Sequence, residues 1–326
     1  MSISKNMISV IVCCYNSQYV IKDTLEYLAN QQTNNAFNYE VVLVDNNCTD
    51  YTVEVANAVW NELDTTIDLN VVTESKPGLS YAREAGVNHS KGEFIVFCDD
   101  DNWLASDYLQ IAFNFMMKHP EVGALGGQSI GVLEGVEPKW WHKEAKNYAV
   151  GKQAAKSGDV SSRGYVWGAG MVFWKSLFLR LYNTGFESLL SDRKGELLSS
   201  GGDSELCKWF ILMGYKLWYL EELKFKHYIT SQRLTDSYLV KLLAGHKQAQ
   251  PLLNLYNRFI LLVKNNDRLK LSQAKKFNYL KKGVKGVLRQ KHHWREFIQL
   301  AVGTIFKIDA NLYQIIKTYK RLKRIS

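Results

Sequence analysis

The chain has 326 residues, 46% of them hydrophobic and 13% aromatic, with a formal net charge of +9; that is enough apolar mass for one large core, with or without an appendage. Its five cysteines (Cys13, Cys14, Cys48, Cys98, Cys207) are odd in number and form no Cys-x-x-Cys pair, which argues against a disulfide frame or zinc site and for buried free thiols in a reducing compartment. No uncharged apolar run reaches the ~18–20 residues that span a bilayer, and Met1–Asn6 lacks a signal-peptide pattern because strand residues follow at once.

Met7–Asn16 is rich in β-formers and breaks at Asn16-Ser17, as a first parallel strand would. Val20, Ile21, Leu25 and Leu28 then predict a helix over residues 19–31. Glu40–Asp45 is a second strand ending in a carboxylate, and Val53, Ala56 and Val59 carry a second helix. Leu69–Thr73 is a third strand, Ser80–His89 a helix, and Glu93–Cys98 a fourth strand that runs into Asp99, Asp100 and Asp101. Strand and helix alternate, which predicts a mostly parallel sheet covered on both faces. A helix over 106–118 and a strand at Val122–Gly127 follow. Trp140 and Trp141 open a long loop; two adjacent tryptophans cannot both enter one core from a regular element, so one is a candidate to line a cleft. Val166–Phe173 is an apolar run interrupted by Gly168 and Gly170, and after the polar loop 191–195 Asp203 opens a helix carrying Leu206, Phe210 and Met213. Leu217–Leu220 is a further strand, with the lone His227 beyond it.

From residue 236 the pattern turns helical: Ser237–Leu243, Leu252–Val263, Ser272–Leu288 and Trp294–Ile316. The charge changes with it. Residues 1–240 hold 21 Lys+Arg against 29 Asp+Glu, a balance of −8, whereas residues 241–326 hold 20 against 3, a balance of +17. The last stretch reads as an amphipathic helix with a basic end, suited either to packing on the main domain or to lying on an anionic membrane surface. The acidic main domain disfavours nucleic acid as a partner.

Two strands thus end in aspartates, at Asp45 and at Asp99–Asp101. Strand ends of one parallel sheet share an edge, where open α/β sheets bind ligands. Three adjacent like charges need a cation, a basic partner or full solvation. No Gly-x-Gly-x-x-Gly follows the first strand and no P-loop motif occurs anywhere, which argues against a dinucleotide oxidoreductase or a P-loop NTPase.

Five segments in order resemble the inverting family 2 glycosyltransferases of the GT-A fold: Ser9–Asn16, Val44–Asp50, Pro77–Gly86, the Asp99-Asp100-Asp101 signature, and Gly201–Cys207. They cover roughly residues 7–230. The resemblance implies a Rossmann-like, mostly parallel sheet with flanking helices over residues 1–235 and a basic helical appendage over 236–326. It implies transfer of a sugar, UDP-linked by expectation, to a hydroxyl of a glycan or lipid-linked acceptor in bacterial surface polysaccharide synthesis, by a cytoplasmic protein that is peripheral at the inner face of the membrane. The alternative is a non-catalytic nucleotide-sugar or glycan-binding protein that keeps the cleft. The implied roles are Asp203 as base, with Glu205 the other carboxylate there and a candidate on the acceptor side; Asp101 and Asp99 on Mn²⁺ or Mg²⁺, with His227 as a third ligand; and Tyr15, Asp45, Asn46, Arg83, Asp99 and Asp100 toward the nucleotide sugar. Trp140, Trp141 and Trp167 are the candidates to stack on sugar faces. Two positions depart from the family pattern: Cys48 stands where serine is common, and Gly202 where an acidic residue commonly precedes the base.

Overall fold

The structure is a computed structural model that describes residues 3–190, 200–264 and 294–325, and in the last segment the side chains from residue 310 onward. Its first half alternates β1 (Ser4–Cys14), α1 (Ile21–Ala29), β2 (Asn38–Asp45), α2 (Thr52–Glu62), β3 (Leu69–Thr73), α3 (Leu79–His89) and β4 (Gly92–Asp99). Val10 and Val12 pack into the core on one face of the sheet and Ile11 into the core on the other. Both faces are covered, which is why the strand reads as an unbroken apolar run and not as an alternation.

β1 runs parallel to β2 and β4, and β2 runs parallel to β3, so this half has the order β3-β2-β1-β4. The registers set Cys14 beside Asp45 and Cys13 beside Asp99, which levels three strand ends along one edge. The strand order reverses between β1 and β4, and a crevice opens at such a switch point.

The second half contains β5 (Asn102–Leu104), α4 (Tyr108–Lys118), β6 (Val122–Leu133), α5 (Trp141–Glu144), β7 (Gly158–Asp159), β8 (Val172–Trp174), α6 (Lys175–Tyr182), α7 (Gly202–Leu212) and β9 (Lys216–Ile229). The sheet continues as β4-β8-β6-β9-β5, with β7 also on β9. β8 is antiparallel to both neighbours, β5 and β7 are antiparallel to β9, and β6 is parallel to β9. The result is a mixed, mostly parallel sheet with flanking helices. Two expectations shift. Only Val172 and Phe173 of the apolar run Val166–Phe173 are strand; Gly170, at φ +70, turns the preceding residues into a loop across the sheet edge. The strand expected at Leu217–Leu220 runs on to Ile229 and carries His227 beside Asn102 of β5.

The helices expected at 237–243 and 252–263 are one, α8 (Asp236–Lys264), with Pro251 inside it. Tyr256 and Phe259 are fully buried in the main core, so α8 belongs to the same packed body as the sheet. α9 (Trp294–Ile325) buries Ile315 and Leu322, its Arg321 donates to the Thr184 carbonyl at 2.7 Å, and Tyr319 meets Phe259 edge-on. The expected helix Ser272–Leu288 and the polar loop 191–195 lie outside the described residues. No helix among the described residues is long and apolar enough to cross a membrane.

Candidate active site

A cleft of about 800 Å³ opens along the levelled strand ends. It is lined by the β4–β5 turn, Asp99-Asp100-Asp101, by Tyr15 and Gly78, and by Trp167, with Arg83, Gly168 and Asp203 adjoining one another in its wall. The three adjacent carboxylates avoid one another by turning to three different partners. Asp99 Oδ1 lies 3.8 Å from Arg83 Nη2. Asp100 accepts a hydrogen bond from the Ser17 hydroxyl, and its backbone carbonyl accepts one from Thr24 Oγ1 at 2.7 Å. Asp101 Oδ2 accepts from Arg233 Nη1 at 2.5 Å, while Oδ1 lies 3.3 Å from His227 Nε2 and accepts from Asn102 Nδ2 at 3.0 Å. Burial, then the adjacent Asp101 charge, pushes the Asp100 carboxyl up.

Asp203 sits in the first turn of α7, and the N-cap position belongs to Gly201 at φ +115. Its Oδ2 accepts from the Gly168 N–H at 2.8 Å and its Oδ1 from the Ser204 N–H at 2.6 Å. The aspartate is thereby held at a helix N-terminus, where the macrodipole favours negative charge. Gly168 is small for a reason: a Cβ there would stand 2.6 Å from Arg83 Nη2 and 3.2 Å from the Asp203 Cβ. Arg83 itself lies over the Phe97 ring, its guanidinium carbon 4.7 Å from the centroid.

Asp45 and Asn46 stand at the end of β2. Asp45 Oδ1 accepts from the Cys48 N–H at 2.9 Å, closing the turn. Asn46 donates to the carbonyls of Glu74 and Lys76 at 2.9 and 2.7 Å and accepts from the Gly78 N–H at 2.8 Å. Its amide therefore clamps the loop before α3, and through it sets where Gly78 and Arg83 lie.

The other residues singled out from sequence separate into two groups. Trp167 lines the cleft, and Tyr15 stands half exposed at its rim. Trp140 and Trp141 sit behind it: Trp141 is buried, and Trp140 stacks on Tyr148 with its Nε1 donating to Asp236 Oδ1 at 2.6 Å. They support Tyr148, the member of this aromatic cluster that borders the cleft. Glu205 is buried away from it, accepting from the Ser188 hydroxyl, the N–H groups of Leu189 and Leu190 at 3.1 and 3.2 Å, and Tyr256 Oη at 2.6 Å. Burial pushes its carboxyl up against the pull of these donors. Sequence reasoning missed Tyr148, Arg233 and the wall that α8 supplies with Leu242, His246 and Gln250, and Ser17, which is buried behind the cleft on Asp100. A signal existed for one of them: Arg233 is the sole arginine between Arg193 and Arg258 and follows closely on His227.

A family model for glycosyl transferase family 2 matches residues 9–181, more than half of the chain, from the first strand through the aspartate cluster to α6. The chain belongs to glycosyl transferase family 2. This family 2 chain is 29% identical over 133 residues to an uncharacterized glycosyltransferase of Haemophilus influenzae, covering 41% of the chain and 51% of that protein. It is 32% identical over 111 residues to the poly(ribitol-phosphate) beta-N-acetylglucosaminyltransferase TarS of Staphylococcus aureus, covering 34% of the chain and 19% of TarS. The matches thus span about half of these relatives, or less. The solved structure of S. aureus TarS 1-349 in complex with UDP-GlcNAc has the same GT-A-like fold, with a TM-score of 0.53 at 20% identity over 97% of this chain and 89% of that one.

The donor set at the aspartate cluster has the chemistry of a divalent-cation site, with carboxylates on Asp99 and Asp101 and an imidazole on His227. His227 Nδ1 is a buried atom without a hydrogen-bond partner, and its Nε2 faces Asp101. As arranged, no three His, Cys, Asp or Glu side chains among the described residues are grouped to hold a metal ion; Asp99 faces Arg83, and Arg233 holds the Oδ2 edge of Asp101.

Proposed function

We propose that this chain transfers a sugar from a UDP-linked donor to a hydroxyl of a bacterial surface glycan or lipid-linked polymer, inverting the anomeric centre. The observation that carries the reading is the placement of Asp203 at a helix N-terminus in the same cleft as the aspartate cluster and Arg83. In this reaction Asp203 takes the acceptor hydroxyl's proton as the oxygen forms its bond to the anomeric carbon. The bond from that carbon to the diphosphate oxygen breaks, and both its electrons leave with the nucleoside diphosphate. Arg83 stands where it neutralises part of that charge. A divalent cation, Mn²⁺ or Mg²⁺, supplies further charge neutralisation when bound, with Asp101, Asp99 and His227 as its donors. Trp167 borders the sugar end of the cleft and Tyr15 the nucleotide end, while Asp45 shapes the turn beside it. The UDP-GlcNAc bound by TarS and the ribitol-phosphate polymer in that protein's name support the choice of donor and acceptor class.

The test is UDP release from a panel of UDP-sugars with Mn²⁺, by wild type and Asp203→Asn. Wild type is expected to release UDP; the variant should keep UDP binding and lose ~10²–10⁴-fold in turnover. Wild type that neither binds UDP nor acts on any donor, or a variant with full turnover, would refute the proposal.

A second partner is an anionic membrane surface. The outer side of α9 exposes Lys317, Lys320, Lys323 and Arg324, while Ile315 and Leu322 bolt the helix to the core. At ~1 kcal/mol per basic residue, four such residues give modest, salt-sensitive attraction. Sedimentation with phosphatidylglycerol vesicles, lost at high salt and lost when all four become Gln, is expected; equal binding to neutral vesicles would refute it.

A further inference from the structure

We infer that Arg233 is an exchangeable counter-cation of Asp101, which holds that carboxylate until a metal–nucleotide pair takes its place. The inference rests on the proposed reading of Asp101 as a metal donor. Arg233 lies on the short helical turn Ser231–Leu234 between β9 and α8. Its backbone is pinned: the N–H donates to the Thr230 carbonyl at 2.9 Å, and the carbonyl accepts from Tyr148 Oη at 2.9 Å. The side chain reaches from there into the cleft and ends on Asp101 Oδ2, the lone-pair edge a cation would need. Asp101 Oδ1 is meanwhile taken by His227 and Asn102, so both oxygens are engaged.

The guanidinium is not fully satisfied where it stands. Arg233 Nε is buried without a hydrogen-bond partner, and so is Nδ1 of His227. A guanidinium and an imidazole thus share one carboxylate while a buried guanidinium N–H stays unmade, an arrangement that costs more than one in which the arginine has an anion of its own. A diphosphate entering the cleft supplies that second anion, and a guanidinium matches its paired oxygens in a fork. Once Arg233 turns to the diphosphate, Asp101 Oδ2 is open to the cation. Metal alone must displace a charge-assisted hydrogen bond with no new partner for the arginine; metal arriving with the diphosphate need not. Arg233 therefore disfavours idle metal binding and couples metal entry to nucleotide entry, a coupling that is reciprocal by linkage.

The test is titration of the full chain with Mn²⁺, following free Mn²⁺ by electron paramagnetic resonance, with and without saturating UDP, for wild type, Arg233→Met and Arg233→Lys. Thermal melts check that each variant is folded. Arg233→Met is expected to bind Mn²⁺ alone about tenfold more tightly than wild type, and Arg233→Lys, which keeps a charge but not the fork, should fall between them. Arg233→Lys carries the test if the methionine variant does not fold. Folded variants that bind Mn²⁺ alone no better than wild type, with UDP still promoting binding in all, would overturn the inference and leave the transferase reading standing. No Mn²⁺ binding by any form, with or without UDP, would overturn the metal reading and the inference with it.

Discussion

Replacing Tyr256 with Phe removes one oxygen from a buried network that ties α8 to α7. Tyr256 is fully buried; its hydroxyl donates to Glu205 Oε1 at 2.6 Å and accepts from Trp209 Nε1 at 3.2 Å. Phe keeps the ring, so no cavity opens, and the cost is confined to hydrogen bonding. A bond to a carboxylate contributes ~1.5–3 kcal/mol, and orphaning the Trp209 N–H adds ~1–3 kcal/mol before local relaxation. A net loss of about 2–4 kcal/mol is expected, read as a drop in urea midpoint at constant slope. In a chain of this size that is a fall in Tm of about 3–6 °C. A loss below ~0.5 kcal/mol would refute the claim that α8 is locked to the helix bearing Asp203. A change in slope would show that the variant alters compactness, and the hydrogen-bond reasoning would then fail as an account of the effect.

Gly168→Ala should leave a cooperative melt but lower kcat/KM by ~10- to 100-fold, because the new methyl displaces the Arg83 guanidinium and presses on Asp203; unchanged kinetics would refute that geometry. Asn46→Ala removes three hydrogen bonds that clamp the loop before α3 and should cost about 2–3 kcal/mol in urea unfolding. Glu205 provides a pH test. Burial raises its carboxyl in the folded protein, so the native state binds that proton more tightly than the unfolded chain, and stability from this group falls as pH rises from the ordinary carboxylate value of 4.5 through the native one. The stability of wild type minus that of Glu205→Gln should therefore decline with rising pH across that window; urea midpoints at intervals above pH 4.5 that show the opposite slope would refute the assignment.

Strands β1, β2 and β4 were legible in the sequence because parallel strands covered on both faces are apolar at nearly every position, and in β2 and β4 the run ends in a carboxylate that marks the edge as well. Asp203 was legible for a related reason, standing at the start of a periodic helix behind two glycines. The long-range facts were not. That Trp140 and Trp141 support Tyr148, and that Glu205 is a buried keystone and not a cleft residue, depend on α8 returning across the sheet edge, and nothing local encodes that return. The two halves of α8 read as separate helices because Pro251 and polar residues interrupt the apolar pattern between them, while tertiary packing keeps one helix running through. Arg233 shows the distinction most plainly. Its charge and its place after His227 are in the sequence, but its partner lies 132 positions away and is reached because β9 runs antiparallel beside β5. Local composition specifies which segments can bury their faces; strand pairing across large sequence separations decides which side chains then share a cleft.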